Sequence, residues 1–159
     1  MKKLVALCLF GLLFVACTPV EPQEEAIDKN ALTEEIKTFM NNYGEAWSMD
    51  EDTLIKFYLQ SEDFVFYSGN EYYDYEGMQN MVKEMFDPGI KYEGFPYHDI
   101  QVVILSKESA FFTSHLDYMM TDTNEVVNRI GGAVTYILVK NDDVWRIIHG
   151  IANHYVLEE

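Results

Sequence analysis

Thr135-Tyr-Ile-Leu-Val-Lys140, a polar break at Asn141-Asp-Asp143, and then Val144-Trp-Arg-Ile-Ile-His149 decide the fold of this chain. Each apolar stretch carries the β-branched and aromatic residues that favour extended backbone, and the break between them is a turn signal. If Lys140 pairs with Trp145 across that turn, Tyr136, Leu138, Trp145, Ile147, His149 and Ile151 share one face. Outward from this hairpin the same reading gives long strands over Tyr97–Leu105, Ser109–Thr121, Val126–Lys140 and Val144–Val156. They are joined at Ser106-Lys-Glu108, Asp122-Thr-Asn124 and Asn141-Asp-Asp143.

The first half of the chain follows a helical period. Ile36, Phe39, Met40, Tyr43 and Trp47 recur at three and four residues, giving one apolar helix face. Asp50 can cap a second, short helix carrying Leu54, Phe57 and Tyr58. Asp63 to Tyr75 reads as two short strands around Ser68-Gly-Asn70. Met78, Met81, Val82, Met85 and Phe86 then define a third amphipathic helix, stopped by Asp87-Pro-Gly89. Helices first and an antiparallel meander afterwards is α+β logic. The expectation is one domain, three N-terminal helices covering one face of a strongly curved, largely antiparallel or mixed sheet.

The N-terminus is of another kind. Lys2 and Lys3 precede 13 residues, Leu4 to Ala16, that are all apolar, Gly or Cys. A run of this length is too short to span a bilayer and has the flanks of a secretory leader. It ends Phe14-Val-Ala-Cys17, which looks like the lipidation and cleavage site of bacterial lipoproteins. The expected division is residues 1–16 as signal peptide, 17–25 as an acidic, Pro-containing tether from lipidated Cys17, and 26–159 as the folded domain. The location expected is the bacterial cell envelope, outside the cytoplasm, with the membrane contacted through the lipid alone.

Composition narrows the partners. The only cysteines are Cys8 and Cys17, so the mature domain would hold neither disulfide nor thiolate nucleophile. Loss of Lys2 and Lys3 would leave nine basic against 27 acidic side chains, a net charge near −18. That argues against nucleic acid, which needs a basic footprint. Eleven Tyr and ten Phe suit a large apolar interior or cavity. The four His show neither HxH nor HExxH spacing, and phosphate-loop, GxSxG and dinucleotide motifs are absent, so no metal or cofactor is expected.

The order of motifs resembles the SnoaL-like families of the nuclear-transport-factor-2-like superfamily. The matching residues are Tyr43-Gly-Glu-Ala-Trp47, Met49-Asp-Glu-Asp-Thr-Leu54, Phe64-Val-Phe-Tyr67, Tyr75-Glu-Gly77 and the C-terminal hairpin quoted above. The resemblance implies a cone: a curved sheet wrapped on helices with a pocket inside. Such families include ketosteroid isomerases, dehydratases, polyketide cyclases and non-catalytic dimerising domains, so the fold alone names no chemistry. Relatives often carry a second His two residues after the one matching His149, where this chain has Ile151.

Strand parity supplies candidate site residues. With an even-numbered turn at Asp122–Glu125, Phe111, Thr113, His115, Asp117 and Met119 join Tyr136 and His149 on the pocket face. The expected pocket residues are therefore Phe111, His115, Asp117, Tyr136, Trp145 and His149, with Tyr43 and Trp47 from the first helix and Tyr67 from the short hairpin. Tyr136, His149 and Asp117 are the catalytic candidates. Arg129 is expected to pair with an acid. Gly131, Ala133, Thr135, Ile137, Ile148, Gly150 and Ala152 form an opposite small, apolar face suited to a homodimer contact. Three functions compete: binding of a small apolar or ring-containing molecule, cofactor-free isomerase, dehydratase or cyclase chemistry, and a non-catalytic dimeric interaction or structural role.

Overall fold

The computed structural model describes residues 27–157 apart from 87, 88 and 95. The leader, Cys17 and the tether lie outside the described residues. Three helices pack on a curved seven-stranded mixed sheet that does not close on itself.

Helix α1 (Lys29–Ala46) is capped by Asp28, whose carboxylate accepts from the Asn30 and Ala31 amides. Its buried stripe, Ile36, Met40 and Tyr43, is the one read from spacing. Helix α2 (Glu51–Leu54) is capped by Asp50, which accepts from the Thr53 amide at 2.8 Å. It tightens into a 3-10 turn at Ile55–Phe57, and Tyr58 then bridges to Ile147 of the last strand. Strands β1 (Val65–Ser68) and β2 (Glu71–Tyr73) form the short hairpin around Gly69, whose φ is +58°. Helix α3 (Tyr75–Met85) starts on Asp74, which accepts from the Gly77 amide.

Strand β3 (Lys91–Glu93) is a short element absent from the sequence reading. Strands β4 (Tyr97–Ile104), β5 (Ser109–Thr121), β6 (Val127–Asn141) and β7 (Val144–Val156) match it closely. The sheet runs β2-β1-β7-β6-β5, and both β3 and β4 pair with β5. The β1–β7 pairing is parallel, which makes the sheet mixed. The core lies between helices and sheet, where Ile36, Met40, Leu54, Phe64, Phe112 and Ile147 are fully buried.

Two local features set which side chains face that core. Asp142 and Asp143 both have positive φ, the pair of left-handed residues that a two-residue hairpin turn needs. Lys140 does face Trp145 across it. The β6–β7 register then slips between Ile137 and Leu138: Leu138 pairs with Ile147, but Ile137 pairs with His149. Ile148 is thus an extra residue, a β-bulge that sends His149 and Ile151 to the outer face and Gly150 and Ala152 inward. At the β5–β6 turn, Asp122 Oδ1 accepts from the amides of Asn124 and Val126, and Glu125 takes φ +62°. Asp122 and Val126 are bonded to each other, so the loop is three residues, an odd number. The expected even turn is therefore corrected. Phe112, not Phe111, stands opposite Tyr136, and the register through Gly131-Gly132 is unbroken.

Candidate functional site

The cone interior is an aromatic chamber. Tyr43, on the inner stripe of α1, meets the rings of Tyr58 at 5.8 Å, Tyr136 at 5.9 Å and Trp47 at 6.1 Å, all near edge-on. Its hydroxyl lies 2.5 Å from that of Tyr58. Burial pushes the Tyr43 phenol above its usual pKa, while the approach of Tyr58, Tyr136 and Trp47 pulls it back part of the way. Burial pushes Tyr58, Tyr97 and Tyr136 up strongly. All four phenols are therefore neutral hydrogen-bonding groups at neutral pH.

A cavity of about 30 Å³ remains at the centre of this chamber. That is room for about two water molecules. Tyr43, Tyr136, Met78, Met81 and Met85 are among its walls, and Trp47 stands at its edge. Trp47 also lines an open cleft of about 460 Å³, with Met49, Phe86 and Tyr92. Trp47 is thus common to the walls of the inner cavity and of a space of ligand size. Met81 and Met85 are only half-buried, and their unbranched chains can repack.

The nine residues expected in the pocket part company. Tyr43, Trp47 and Tyr136 line the cavity. Tyr67, Phe111 and His149 instead share an outer groove of about 200 Å³ with Val65, Ile137 and Ile151. His115 and Asp117 also face outward, because Leu116 pairs with inward Gly132. There Asp117 is held by Arg129 and accepts from His98 Nε2 at 3.0 Å, and these partners lower its pKa. His115 meets Asp99 at 3.4 Å. Trp145 packs under α1, its indole N–H donating to Glu35 at 3.2 Å. The Tyr136–His149 pair is therefore corrected: the two lie on opposite faces of the sheet.

Strand parity also missed inner-face residues. Tyr58, Phe66, Tyr97, Ala152 and His154 all reach the cavity. The last two do so because the bulge at Ile148 reverses parity for the rest of β7. Among the described residues, no cluster of His, Asp and Glu could hold a metal ion. Among the described residues, no carboxylate lines the inner cavity and His154 is its one imidazole.

Solved structures with the same architecture are numerous. An NTF-2 like protein of unknown function from Shewanella oneidensis aligns with a TM-score of 0.61 at 20% identity, covering 77% of this chain and 98% of that one. A conserved protein from Planctomyces limnophilus gives 0.68 at 17%, over 81% and 100%. A hexachlorocyclohexane dehydrochlorinase from Novosphingobium barchaimii gives 0.66 at 14%, over 82% and 91%. At these identities the likeness is one of fold. A comparison with curated protein sequences finds no match. The family model of the SnoaL-like domain matches residues 36–152, from the first buried residue of α1 to the inward Ala152 of β7, and the chain belongs to that family.

Proposed function

We propose that this chain is a lipid-anchored, extracytoplasmic binding domain that takes a small, largely apolar, ring-containing molecule into the cone. The observation that carries the reading is Trp47, shared by the aromatic, methionine-walled cavity and a wider open cleft. Ligand sites are concave and mostly apolar, with a few convergent polar groups. The inner cavity meets that description in chemistry and falls short of it in volume. Entry of a ring therefore requires Trp47 and the two half-buried methionines to shift. Acid–base catalysis is the weaker reading, since Asp117 and His149 face away from the chamber and its phenols are held neutral. The dehydrochlorinase named above shares the fold at 14% identity, which carries no chemistry across.

The lipoprotein assignment rests on the Cys17 motif, with residues 17–25 read as the tether. A second observation supports a homodimer through the sheet. The outer face presents Val65, Tyr67, Phe111, Ile137 and Ile151 as one apolar groove, and Tyr67 and Ile151 are 41% and 49% exposed. Exposed apolar groups gathered on one face mark a contact surface.

The test is a titration of the mature domain with 2-naphthol, read by tryptophan fluorescence and by calorimetry in parallel. Binding should quench Trp47, and Trp47→Phe should remove that signal while Trp145→Phe keeps it. Absence of both heat and quenching up to the solubility limit of the probe would overturn the binding reading.

A further inference from the structure

The outer face of the sheet differs in charge from the rest of the chain. The sequence holds 27 acidic side chains, yet strands β1, β5, β6 and β7 together contain one, Asp117. Asp99, at the β4 bulge, adds a second acid through its contact with His115. Arg129 offsets Asp117. The face is thus close to neutral on a body whose formal charge is −16. Two strongly acidic bodies repel unless they meet through a surface free of excess charge. A basic partner would instead be drawn to the acidic remainder. The charge pattern therefore favours a second copy of this chain as the occupant of the outer face.

Three of the four histidines stand on this face, His98, His115 and His149, and they differ in company. His98 and His115 are cross-strand partners, and each rests against a carboxylate, His98 on Asp117 and His115 on Asp99. Either imidazole can take up a proton beside a compensating charge. His149 is half-buried in the apolar groove, between Val65 of β1 and Ile137 of β6. Into that groove β1 also turns the Tyr67 phenol, β6 the Thr135 hydroxyl and β5 the Phe111 ring. Tyr72 of β2 meets Tyr67 edge-on at 5.6 Å. On β7 itself the charge nearest in sequence is Arg146, a cation whose Nη1 donates to the Trp145 carbonyl. Among the described residues no carboxylate pairs with His149.

We infer that assembly through the outer face is controlled by protons, with His149 as the switch: two copies join while this imidazole is neutral and separate when it is charged. The inference rests on the homodimer reading and goes beyond it. Joining two faces takes His149 out of water among aliphatic and aromatic groups, which penalises the charged form and spares the neutral one. Histidine is the side chain that changes charge between pH 5 and 8. Acidification also opposes two cationic faces, since on each copy three protonated histidines with Arg129 and Arg146 then outweigh Asp99 and Asp117. This local repulsion outweighs the fall in net negative charge, because exposed charges more than about 8 Å apart are largely screened at physiological salt. Each dimer buries two His149 side chains, so its formation is linked to the release of two protons.

The test is sedimentation equilibrium of the mature domain at pH 7.5 and pH 5.5 in physiological salt. The wild-type dimer should be roughly 100-fold weaker at the lower pH, the ratio that two linked protons support across the histidine range. His149→Phe, which puts an apolar ring into the apolar groove, should stay dimeric at both pH values. His149→Gln, uncharged at either, should weaken the dimer and also lose the pH dependence. The double variant His98→Gln, His115→Gln should keep it. Thermal melts of each variant at both pH values check that the fold survives. A wild-type dimer as strong or stronger at pH 5.5 overturns this inference and leaves the homodimer reading standing. A pH dependence that survives in both His149 variants, or that vanishes in the double variant, overturns the assignment to His149. A wild-type monomer at both pH values overturns the homodimer reading as well, and gives the face to a different partner.

Discussion

Gly150 is the position where one added methyl should cost the most. It sits on the inner face just past the Ile148 bulge, paired with Tyr136. A Cβ there would lie 2.5 Å and 2.6 Å from two carbons of the Phe66 ring, and 3.0 Å from the Tyr136 ring. Ordinary carbon contacts begin near 3.5 Å, so the Phe66 ring must withdraw by about 1 Å. It has little room to do so: Phe66 is 3% exposed, stacked on Tyr136 at 6.3 Å and edge-on to Tyr58 at 6.1 Å. Overpacking of a tight core costs about 1–3 kcal/mol. Loss of glycine's freedom in the unfolded chain returns about 0.5 kcal/mol. The net for Gly150→Ala is a destabilisation of about 1.5 kcal/mol, which in a domain of this size lowers Tm by about 6 °C. Gly131→Ala is the control. Its Cβ would first meet side-chain atoms of Tyr155 and Leu157, at 3.0 to 3.2 Å, and Tyr155 is exposed and can swing away. That variant should stay within about 0.5 kcal/mol of wild type. Adding Phe66→Leu to Gly150→Ala should relieve the clash, giving a coupling of about 1 kcal/mol in the double-mutant cycle. Thermal and urea melts followed by circular dichroism measure all four. A Gly150→Ala variant as stable as wild type, or no less stable than Gly131→Ala, would refute the packing argument.

The remaining expectations concern charge, assembly and anchorage. Glu35 accepts from Lys140 Nζ at 2.8 Å and from the Trp145 indole, and these bonds lower its pKa. A carboxylate with a depressed folded pKa contributes stability that is present above its unfolded pKa, near 4.5, and lost as pH falls through the folded value. Because the Glu35 side chain is 48% exposed, Glu35→Gln should cost only about 0.5 kcal/mol at pH 7 and flatten the acid limb of a urea-melt series from pH 7 to pH 3. Ile151→Asp puts a charge into the outer apolar groove and should convert the proposed dimer to monomer in light scattering, with Tm of the monomer little changed. A wild-type monomer at the same concentration removes the dimer proposal. Cys17→Ser should move the full-length chain from the membrane fraction to the soluble one, and mass spectrometry of wild type should find the lipid on Cys17.

Much of the architecture was legible because burial imposes a period. Ile36, Met40 and Tyr43 could face a core only from a helix, and the long strands announced themselves through β-branched and aromatic residues between turn residues. Asp50 caps a helix where a short acceptor precedes an apolar run, as read, while the Asp74 cap of α3 emerged only from the structure. Strand β3 was not legible, since three residues, Lys91-Tyr-Glu93, are too few to show a period of two. The parallel seat of β1 beside β7 was not legible either, because a four-residue strand carries no signal for which neighbour it takes.

The site was harder to read than the fold, and the reason is arithmetic. A strand assigns its side chains to faces by counting, so each single-residue irregularity inverts everything beyond it. Two such irregularities occur here. The three-residue loop after Asp122, held by that residue's own carboxylate, turned His115 and Asp117 outward, where Arg129 and His98 engage the acid. The bulge at Ile148 turned His149 outward and brought His154 in. Neither would change the secondary-structure assignment by one residue, yet together they replace every charged candidate of the chamber. Glycine offered a clue in the sequence. Gly132 and Gly150 occupy neighbouring strands on what became the inner face: a Cβ at Gly132 would meet the Asn153 carbonyl oxygen at 2.8 Å and the His154 ring at 3.0 Å, and one at Gly150 the Phe66 ring at 2.5 Å. A glycine within a strongly apolar strand leaves room that some side chain must fill.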